Sequence, residues 1–367
     1  MSASSRPAPE GPAPGAGTGA AVIGLDLGGT KIAAALFAAD GTVLARHTRP
    51  TPAGDGASAV LDALAGAAAA VDPGRLATAL GIAAAGVVDP RSGLVTSATD
   101  TIRGWAGTAL GSGLADRTGY PVACDNDVRA TAGPELAAPT GQGTDHTPSE
   151  PAPSRETAPA GQGLPGHEPS GARRTAPGSR RTGGGSLVFV AVGTGVGGAI
   201  AVDGRMLHGA AGIAGHLGHL PSPAAAGLAC TCGATGHLEV IASGPGIAAH
   251  YERLTGAPVD RLETVAVRAA RGDEHAVRAI TVGAAATGRA LGGLANALGP
   301  DRVVVGGGVP RIGPLYWDAL IAAFVPELMP PLRGLRPEPP RFGTDAAVRG
   351  AAALTTTLPL HRPGAGR

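Results

Sequence analysis

The chain has 367 residues, a 43% hydrophobic fraction and a net charge of +1, enough for two ordinary domains with their own cores. The near-neutral balance, with no basic block in the patterned regions, argues against a nucleic-acid footprint. Three cysteines are too few for a disulfide scaffold, and no apolar run is long enough to span a bilayer.

Met1–Gly19 is rich in Ser, Pro, Ala and Gly and lacks the apolar stretch of a secretory signal. It reads as a disordered tail, and a cytoplasmic location is expected. Ala21–Leu25 is a β-rich apolar run. It enters the turn Asp26-Leu-Gly-Gly-Thr-Lys31, and a second apolar run continues to Phe37, the pattern of a hairpin. The turn has phosphate chemistry. Gly28 and Gly29 let backbone N–H groups come close, Thr30 adds a hydroxyl and Lys31 adds charge. Lys31 is the only lysine in a chain whose other cations are arginines. Asp26 suits a magnesium ion or its water shell.

Ala57–Val71 has helical periodicity and Ala79–Val88 the pattern of a strand. Val122–Asp127 ends an apolar segment on two carboxylates around Asn126, and Val128–Ala132 begins a helix. A carboxylate at such a junction can take the proton of an attacking hydroxyl. Asp125 or Asp127 can also simply cap the helix, and residue types alone favour capping. Residues 137–185 are rich in Pro, Gly, Thr, Ser and charge, with Leu164 their only large aliphatic. They read as a disordered insertion, and Arg173, Arg174, Arg180 and Arg181 as a solvated stretch rather than a docking site.

Ser186–Val192, Gly193-Thr-Gly-Val-Gly-Gly198 and Ala199–Val202 repeat the pattern of the first hairpin. Gly193, Gly195 and Gly197, with Thr194, offer a second backbone cradle. The spacing also fits a dinucleotide fingerprint, but that needs a helix to follow, and here an apolar run and an Asp203-Gly204 turn follow instead. His219, Cys230, Cys232 and His237 have the spacing H-x10-C-x-C-x4-H. Thiolates and imidazoles in fours make a closed zinc site, which would order the Pro/Ala-rich stretch Pro221–Leu228. Cys124 is remote and reads as a small buried hydrophobe. Glu274–Leu298 is helical in pattern. Arg302–Val305 is strand-like and runs into a third turn, Gly306-Gly-Gly308, where a flat ring can lie against backbone. The alternation implies an α/β protein with a mixed sheet in each of two lobes, 20–136 and 186–343, and a ligand between them.

These motifs together resemble the ROK family (repressor, open reading frame, kinase) of sugar kinases and regulators. The resemblance runs from about Ala21 to Leu360 outside the insertion. It rests on Asp26–Lys31, Gly81–Asp89, Asn126-Asp127, Gly193–Gly198, Gly215–Glu239 and Gly306–Val309. It implies a two-lobed actin-like (ribonuclease H-like) ATPase fold, with the C-terminal helix of 344–360 returning to the first lobe. The fold would close on ATP, magnesium and a hexose. Asp127 then looks like the base for the sugar 6-hydroxyl, and Asn126 like a partner of neighbouring hydroxyls. His219 looks like both zinc ligand and sugar contact, and Glu239 like the acceptor at the far end of the ring. Gly86 and Thr101 would border the sugar, Asp26–Lys31 and Gly193–Gly198 the phosphates, and Gly307 and Gly308 the adenosine. A homodimer or homotetramer is expected.

Three positions depart from the family pattern. The usual Cys-x-Cys-Gly-x-x-Gly-Cys ends here in His237, so a structural zinc of altered geometry is expected. Thr101 stands where many members carry a sugar-binding Asn. His216 stands where glucokinases carry Glu, as in the N-acetylmannosamine kinase branch, which Glu239–Gly244 and Ile247–Ala249 also resemble. A carboxylate only accepts hydrogen bonds, whereas an imidazole can donate one to an N-acetyl carbonyl. The expected activity is therefore N-acetylmannosamine 6-phosphorylation, with a glucokinase as the alternative. A sugar-responsive regulator is the reading from another class. It is disfavoured by the intact Asp127 and by the few residues before the first strand, too few for a helix-turn-helix unit.

Overall fold

A computed structural model describes residues 20–137, 185–343 and 345–364. The Met1–Gly19 tail and the insertion, except residues 137 and 185, lie outside the described residues.

The chain begins with β1 (Ala21–Leu27), β2 (Lys31–Phe37), β3 (Val43–Pro50), α1 (Ala57–Val71) and β4 (Ala77–Ala84). A small hairpin, β5 (Val87–Asp89) and β6 (Leu94–Ser97), then leads to α2 (Leu110–Thr118), β7 (Val122–Asn126) and α3 (Asp127–Ala137). The second half opens with β8 (Leu187–Val192), β9 (Val196–Val202) and β10 (Arg205–Met206). It continues through α4 (Glu239–Ala242), α5 (Gly244–Thr255), α6 (Leu262–Ala270) and α7 (Glu274–Leu298) to β11 (Arg302–Gly306), α8 (Pro314–Phe324) and β12 (Pro337–Glu338). The last helix is α9 (Ala346–Thr357).

The two main sheets run β3-β2-β1-β4-β7 and β10-β9-β8-β11-β12. In each, the opening strand pairs antiparallel with the next strand in sequence and parallel with the strand on its other side. The echo between the two hairpins thus extends to the whole topology. Helices α1 and α7 span the residues expected from periodicity. α1 turns Val60, Leu61, Leu64, Ala67, Ala68 and Val71 inward, one stripe of a 3.6-residue repeat. α7 starts where Asp273 accepts from the His275 and Ala276 amides and stops at Gly299, in the left-handed region at φ 57°.

One strand differs from expectation. Ala79–Val88 is not continuous, because β4 ends at Ala84. Gly86 turns the chain at φ 98°, where a side chain would also meet the Ser97 carbonyl at 2.8 Å. The Ala85 carbonyl is taken by Trp105 Nε1 at 2.9 Å instead of a sheet neighbour. No helix among the described residues is long and apolar enough to cross a membrane.

Helix α9 lies against β1, β4, β7 and α3. Glycines make this possible. A Cβ on Gly24 would overlap the Val348 carbonyl, one on Gly81 the Ala351 carbonyl, and one on Gly350 the Ala130 carbonyl. Backbone on both sides leaves nothing flexible to yield. Gly81→Ala should therefore cost about 3 kcal/mol or more and lower the melting temperature by roughly 6–12 °C. Thermal unfolding followed by circular dichroism would check it; a change below a few degrees would contradict this packing.

Candidate active site

A cleft of ≈ 600 Å³ lies between the lobes. From the first lobe it takes Gly86, Thr99, Thr101, Asn126, Asp127 and Val128. From the second it takes Ala191, the stretch 193–198, His216, His219, Glu239 and Gly307, and also Thr231. Asp26, the first turn from Gly28 to Lys31, and Gly308 are not part of its wall. The first turn nonetheless abuts it, since a Cβ on Gly29 would meet Thr101 Cγ2 at 2.6 Å.

The strand-to-helix junction divides its tasks. Asn126 Oδ1 accepts from the Val128 amide at 3.0 Å and the Arg129 amide at 3.2 Å, so Asn126 caps α3. Its Nδ2 donates to the Gly86 carbonyl at 2.9 Å and to Asp127 Oδ1 at 2.7 Å. All four bonds of this amide are thus made inside the protein. Through these bonds Asn126 orients Asp127, while its side chain also borders the cleft. Asp127 Oδ1 also accepts from the Val128 amide at 2.9 Å. Both bonds fall on one oxygen and leave Oδ2 for the cleft. Burial pushes the Asp127 carboxyl up to about 6, against the opposing pull of the Val128 amide, Asn126 and Arg129. Burial pushes Asp26 up to about 6 as well; the Asp127 charge adds to this and Lys31 opposes it. The two carboxylates therefore sense each other, although Asp26 stands behind the wall.

The second glycine stretch is not a single turn. Only Gly193–Gly195 turns, with the Gly193 amide donating to the Gly195 carbonyl at 2.9 Å. Gly197 and Gly198 are already in β9. They are glycines because neighbours come close: a Cβ would meet Val128 Cγ2 at 2.7 Å from Gly197, and the Gly215 carbonyl at 2.7 Å from Gly198. The backbone cradle is shorter than the motif suggests. Gly307 sits at φ 98°, where a Cβ would overlap the Val192 backbone.

The His216–His219 segment rests on β9. A Cβ on Gly218 would overlap the Val196 carbonyl, so the two imidazoles flank a point of backbone contact. Their rings are nearly parallel, with centroids 6.4 Å apart. His216 Nδ1 lies 2.9 Å from the Ile213 carbonyl. A carbonyl only accepts, so Nδ1 carries the proton. Burial lowers the His216 pKa and keeps the ring neutral. Its Nε2 is then an acceptor, the reverse of the donor expected from the sequence. Glu239 Oε2 accepts from the Val196 amide at 2.8 Å, leaving its other oxygen for a ligand.

His219, Cys230, Cys232 and His237 converge as the spacing predicts, with ligand atoms all within 4.8 Å of one another. The Nδ1 atoms of His219 and His237 are 3.3 Å apart. Cys230 Sγ lies 3.7 Å from His219 Nδ1, and Cys232 Sγ 3.3 Å from His237 Nδ1. A tetrahedral zinc with bonds of 2.0–2.3 Å spaces its ligand atoms roughly 3.3–3.8 Å apart, so the set fits that metal. Because His219 turns Nδ1 to the cluster, its Nε2 is the nitrogen left for the cleft. Cys124 is fully buried, and burial pushes its thiol up to about 12; it is no ligand.

Sequence reasoning missed Arg129 and His208, and found Asp125 only as one of the two carboxylates at the junction. Asp125 and Arg129 form a buried ion pair at 2.7 Å, and His208 Nε2 lies 2.8 Å from the other oxygen of Asp125. The pair bridges the strand-to-helix junction, with Asp125 in β7 and Arg129 in α3, so helical spacing gives no signal for it. The approach of His208, from 83 positions away, left none.

A family model described as "ROK family" matches residues 22–146 and 179–357. The N-acetylmannosamine kinase of Escherichia coli (strain 55989 / EAEC) is 33% identical over 290 residues, covering 78% of this chain and 82% of the relative. A solved ROK hexokinase from Thermus thermophilus matches with a TM-score of 0.70 and 30% identity, covering 91% of this chain and 97% of that one. A ROK family glucokinase from Streptomyces griseus, in complex with glucose and AMPPNP, matches with a TM-score of 0.66 and 28% identity over 91% and 98% of the two chains. These neighbours bear out the two-lobed, actin-like α/β architecture expected from the motifs. Matched along both lobes in sequence and in three dimensions, this chain belongs to the ROK family.

Proposed function

We propose that this protein is an ATP-dependent sugar kinase that phosphorylates the 6-hydroxyl of a hexose, with N-acetylmannosamine as the preferred substrate. The observation that carries the chemistry is Asp127. One of its oxygens is fixed, the other is free, and it faces the Gly193–Gly195 turn across one cleft. With a pKa near 6, it is largely ionised at neutral pH yet basic enough to take a proton. Asp127 Oδ2 would accept the 6-hydroxyl proton as the sugar oxygen bonds to the γ-phosphorus. The bond to the β-phosphate oxygen breaks, and ADP leaves. The backbone amides of Thr194 and Gly195 would receive the phosphates, that of Gly193 being bonded to the Gly195 carbonyl, and Gly307 would give the adenosine a flat backbone surface. Asp26, which senses the Asp127 charge, would hold magnesium through its water shell, and the ion would neutralise charge on the phosphates.

The choice of sugar rests on the E. coli relative and on His216. The one N–H of an acetamido group matches the single neutral acceptor that His216 Nε2 presents. The free oxygen of Glu239 and Nε2 of His219 suit ring hydroxyls. A zinc ion held by His219, Cys230, Cys232 and His237 would lock the His219 ring. With purified protein and ATP-magnesium, N-acetylmannosamine should be phosphorylated with a kcat/KM about 10²-fold above that of glucose. Equal or greater glucose turnover would move the assignment to a glucokinase.

Cys232 is exposed, so Cys232→Ser should disturb little beyond the metal. Metal content should fall from about one zinc per chain, and the sugar KM should rise about tenfold with the ATP KM unchanged. Full activity with no bound metal in the wild-type protein would refute the zinc reading.

A further inference from the structure

The Asp125–Arg129 ion pair is the most deeply buried charge in the cleft region that the proposed chemistry leaves unused. Arg129 is 1% and Asp125 2% exposed. Placing two charges out of water is unfavourable unless every remaining donor and acceptor is matched. Here most of them are matched, and in a particular way. Arg129 Nη2 donates to the Val88 carbonyl at 3.1 Å, in the first lobe. Arg129 Nη1 donates to the Gly212 carbonyl at 2.9 Å and the Ala214 carbonyl at 3.5 Å, in the second. His208 Nε2 donates to Asp125 Oδ2 at 2.8 Å. One ion pair therefore grips the 208–214 loop at both of its ends.

The loop is otherwise closed by its own backbone, the Ala214 amide donating to the His208 carbonyl at 3.1 Å and the Gly212 amide to the Gly209 carbonyl at 3.5 Å. Gly209, Gly212 and Gly215 all sit at positive φ, between 72° and 90°, and Ile213 is 55% exposed. The loop runs directly into His216, whose ring is bonded to the Ile213 carbonyl, and then into the turn that carries His219. At the other end of the network, Arg129 lies two positions after Asp127 on α3. The planar guanidinium reaches one carboxylate and carbonyls from two lobes at once, which an ammonium group does not do.

We infer that Arg129, with Asp125 and His208, is a positioning unit that fixes the 208–214 loop, and through it the His216–His219 segment of the cleft wall, relative to the Asp127 carboxylate. The inference rests on the sugar-kinase reading for its effect on rate, but not for its effect on the loop. The nucleotide side is anchored separately: the Gly244 amide donates to the Gly193 carbonyl at 2.8 Å, and Gly307 packs on the Val192 backbone. Loss of the unit should therefore act on the sugar and not on ATP.

The test compares His208→Leu, His208→Gln and Arg129→Lys with the wild type in the full chain. Sugar KM, ATP KM and kcat are measured with N-acetylmannosamine and ATP-magnesium, alongside amide hydrogen exchange. The His208 side chain is 24% exposed, and its loss leaves the ion pair intact, so His208→Leu should fold. It should raise the sugar KM about tenfold, leave the ATP KM within about twofold, and speed exchange at 209–216 but not in α3. His208→Gln, whose amide nitrogen can still reach Asp125, should restore both readouts. Arg129→Lys, which keeps the charge but not the fork, should raise the sugar KM by more than His208→Leu does. If Arg129→Lys does not fold, the His208 pair decides. A parallel rise of both KM values, or unchanged loop exchange in His208→Leu, overturns the inference. If the wild type phosphorylates no sugar, the substrate reading fails while the exchange data still judge the positioning claim.

Discussion

Asp127→Asn should lower kcat by about 10³-fold and at the same time make the protein more stable at neutral pH. Both effects have one cause. The Asp127 carboxyl titrates near 6 in the fold because it is buried, above its value of about 3.9 in an unfolded chain. The folded state thus holds the proton more tightly. This favours the fold fully below about pH 4, and the advantage is lost as pH rises through about 6. At pH 7.5 the fold carries a buried negative charge that asparagine does not. The substitution should raise the melting temperature by about 2–4 °C at pH 7.5, and the gain should shrink toward zero at pH 4.5. Asparagine keeps an oxygen for the Val128 amide but has no basic site for a proton. A kcat within tenfold of the wild type would mean that another base does the work.

The same titration shapes the wild-type rate. Below about pH 6, kcat/KM should fall by about tenfold per pH unit as Asp127 takes up its proton. Asp26 is shifted to a similar value and feels the Asp127 charge, so the apparent pKa values belong to the pair. A profile flat down to pH 5 would show that neither carboxylate must be ionised in the free enzyme.

Features governed by local chain chemistry were legible in the sequence. The hairpins around Asp26–Lys31 and Gly193–Gly195 follow from apolar runs broken by glycine. The Cys/His cluster follows from ligand type and spacing. Three features were not legible, and each depends on how neighbouring groups are oriented in the fold rather than on residue type. Asn126, not Asp127, caps α3, because Asp127 Oδ1 is itself held by the Asn126 side chain. Gly197 and Gly198 look like turn residues, but they are strand residues that give way to Val128 and to the Gly215 backbone. The proton on His216 is placed by the Ile213 carbonyl, a contact that residue type cannot reveal. The second narrows the phosphate contacts expected from motifs. The third reverses the sense of a hydrogen bond.

That reversal changes the argument for substrate choice and makes it sharper to test. With Nδ1 bound to Ile213, His216 offers the cleft one uncharged acceptor. Glutamate at the same position would offer two acceptor oxygens and a negative charge, which suits a pair of hydroxyls. An acetamido group brings one N–H and a carbonyl, and a second carboxylate oxygen facing that carbonyl would set acceptor against acceptor. His216→Glu should therefore lower kcat/KM for N-acetylmannosamine about 10²-fold and raise it for mannose or glucose, inverting the preference. His216→Gln, which keeps a neutral acceptor and adds a donor, should preserve the order of substrates with a weaker sugar KM. If the ratio of the two sugars is the same in wild type and His216→Glu, then this imidazole does not read the 2-substituent. The discrimination must then lie with groups on the opposite wall, where Thr101 stands beside Gly29.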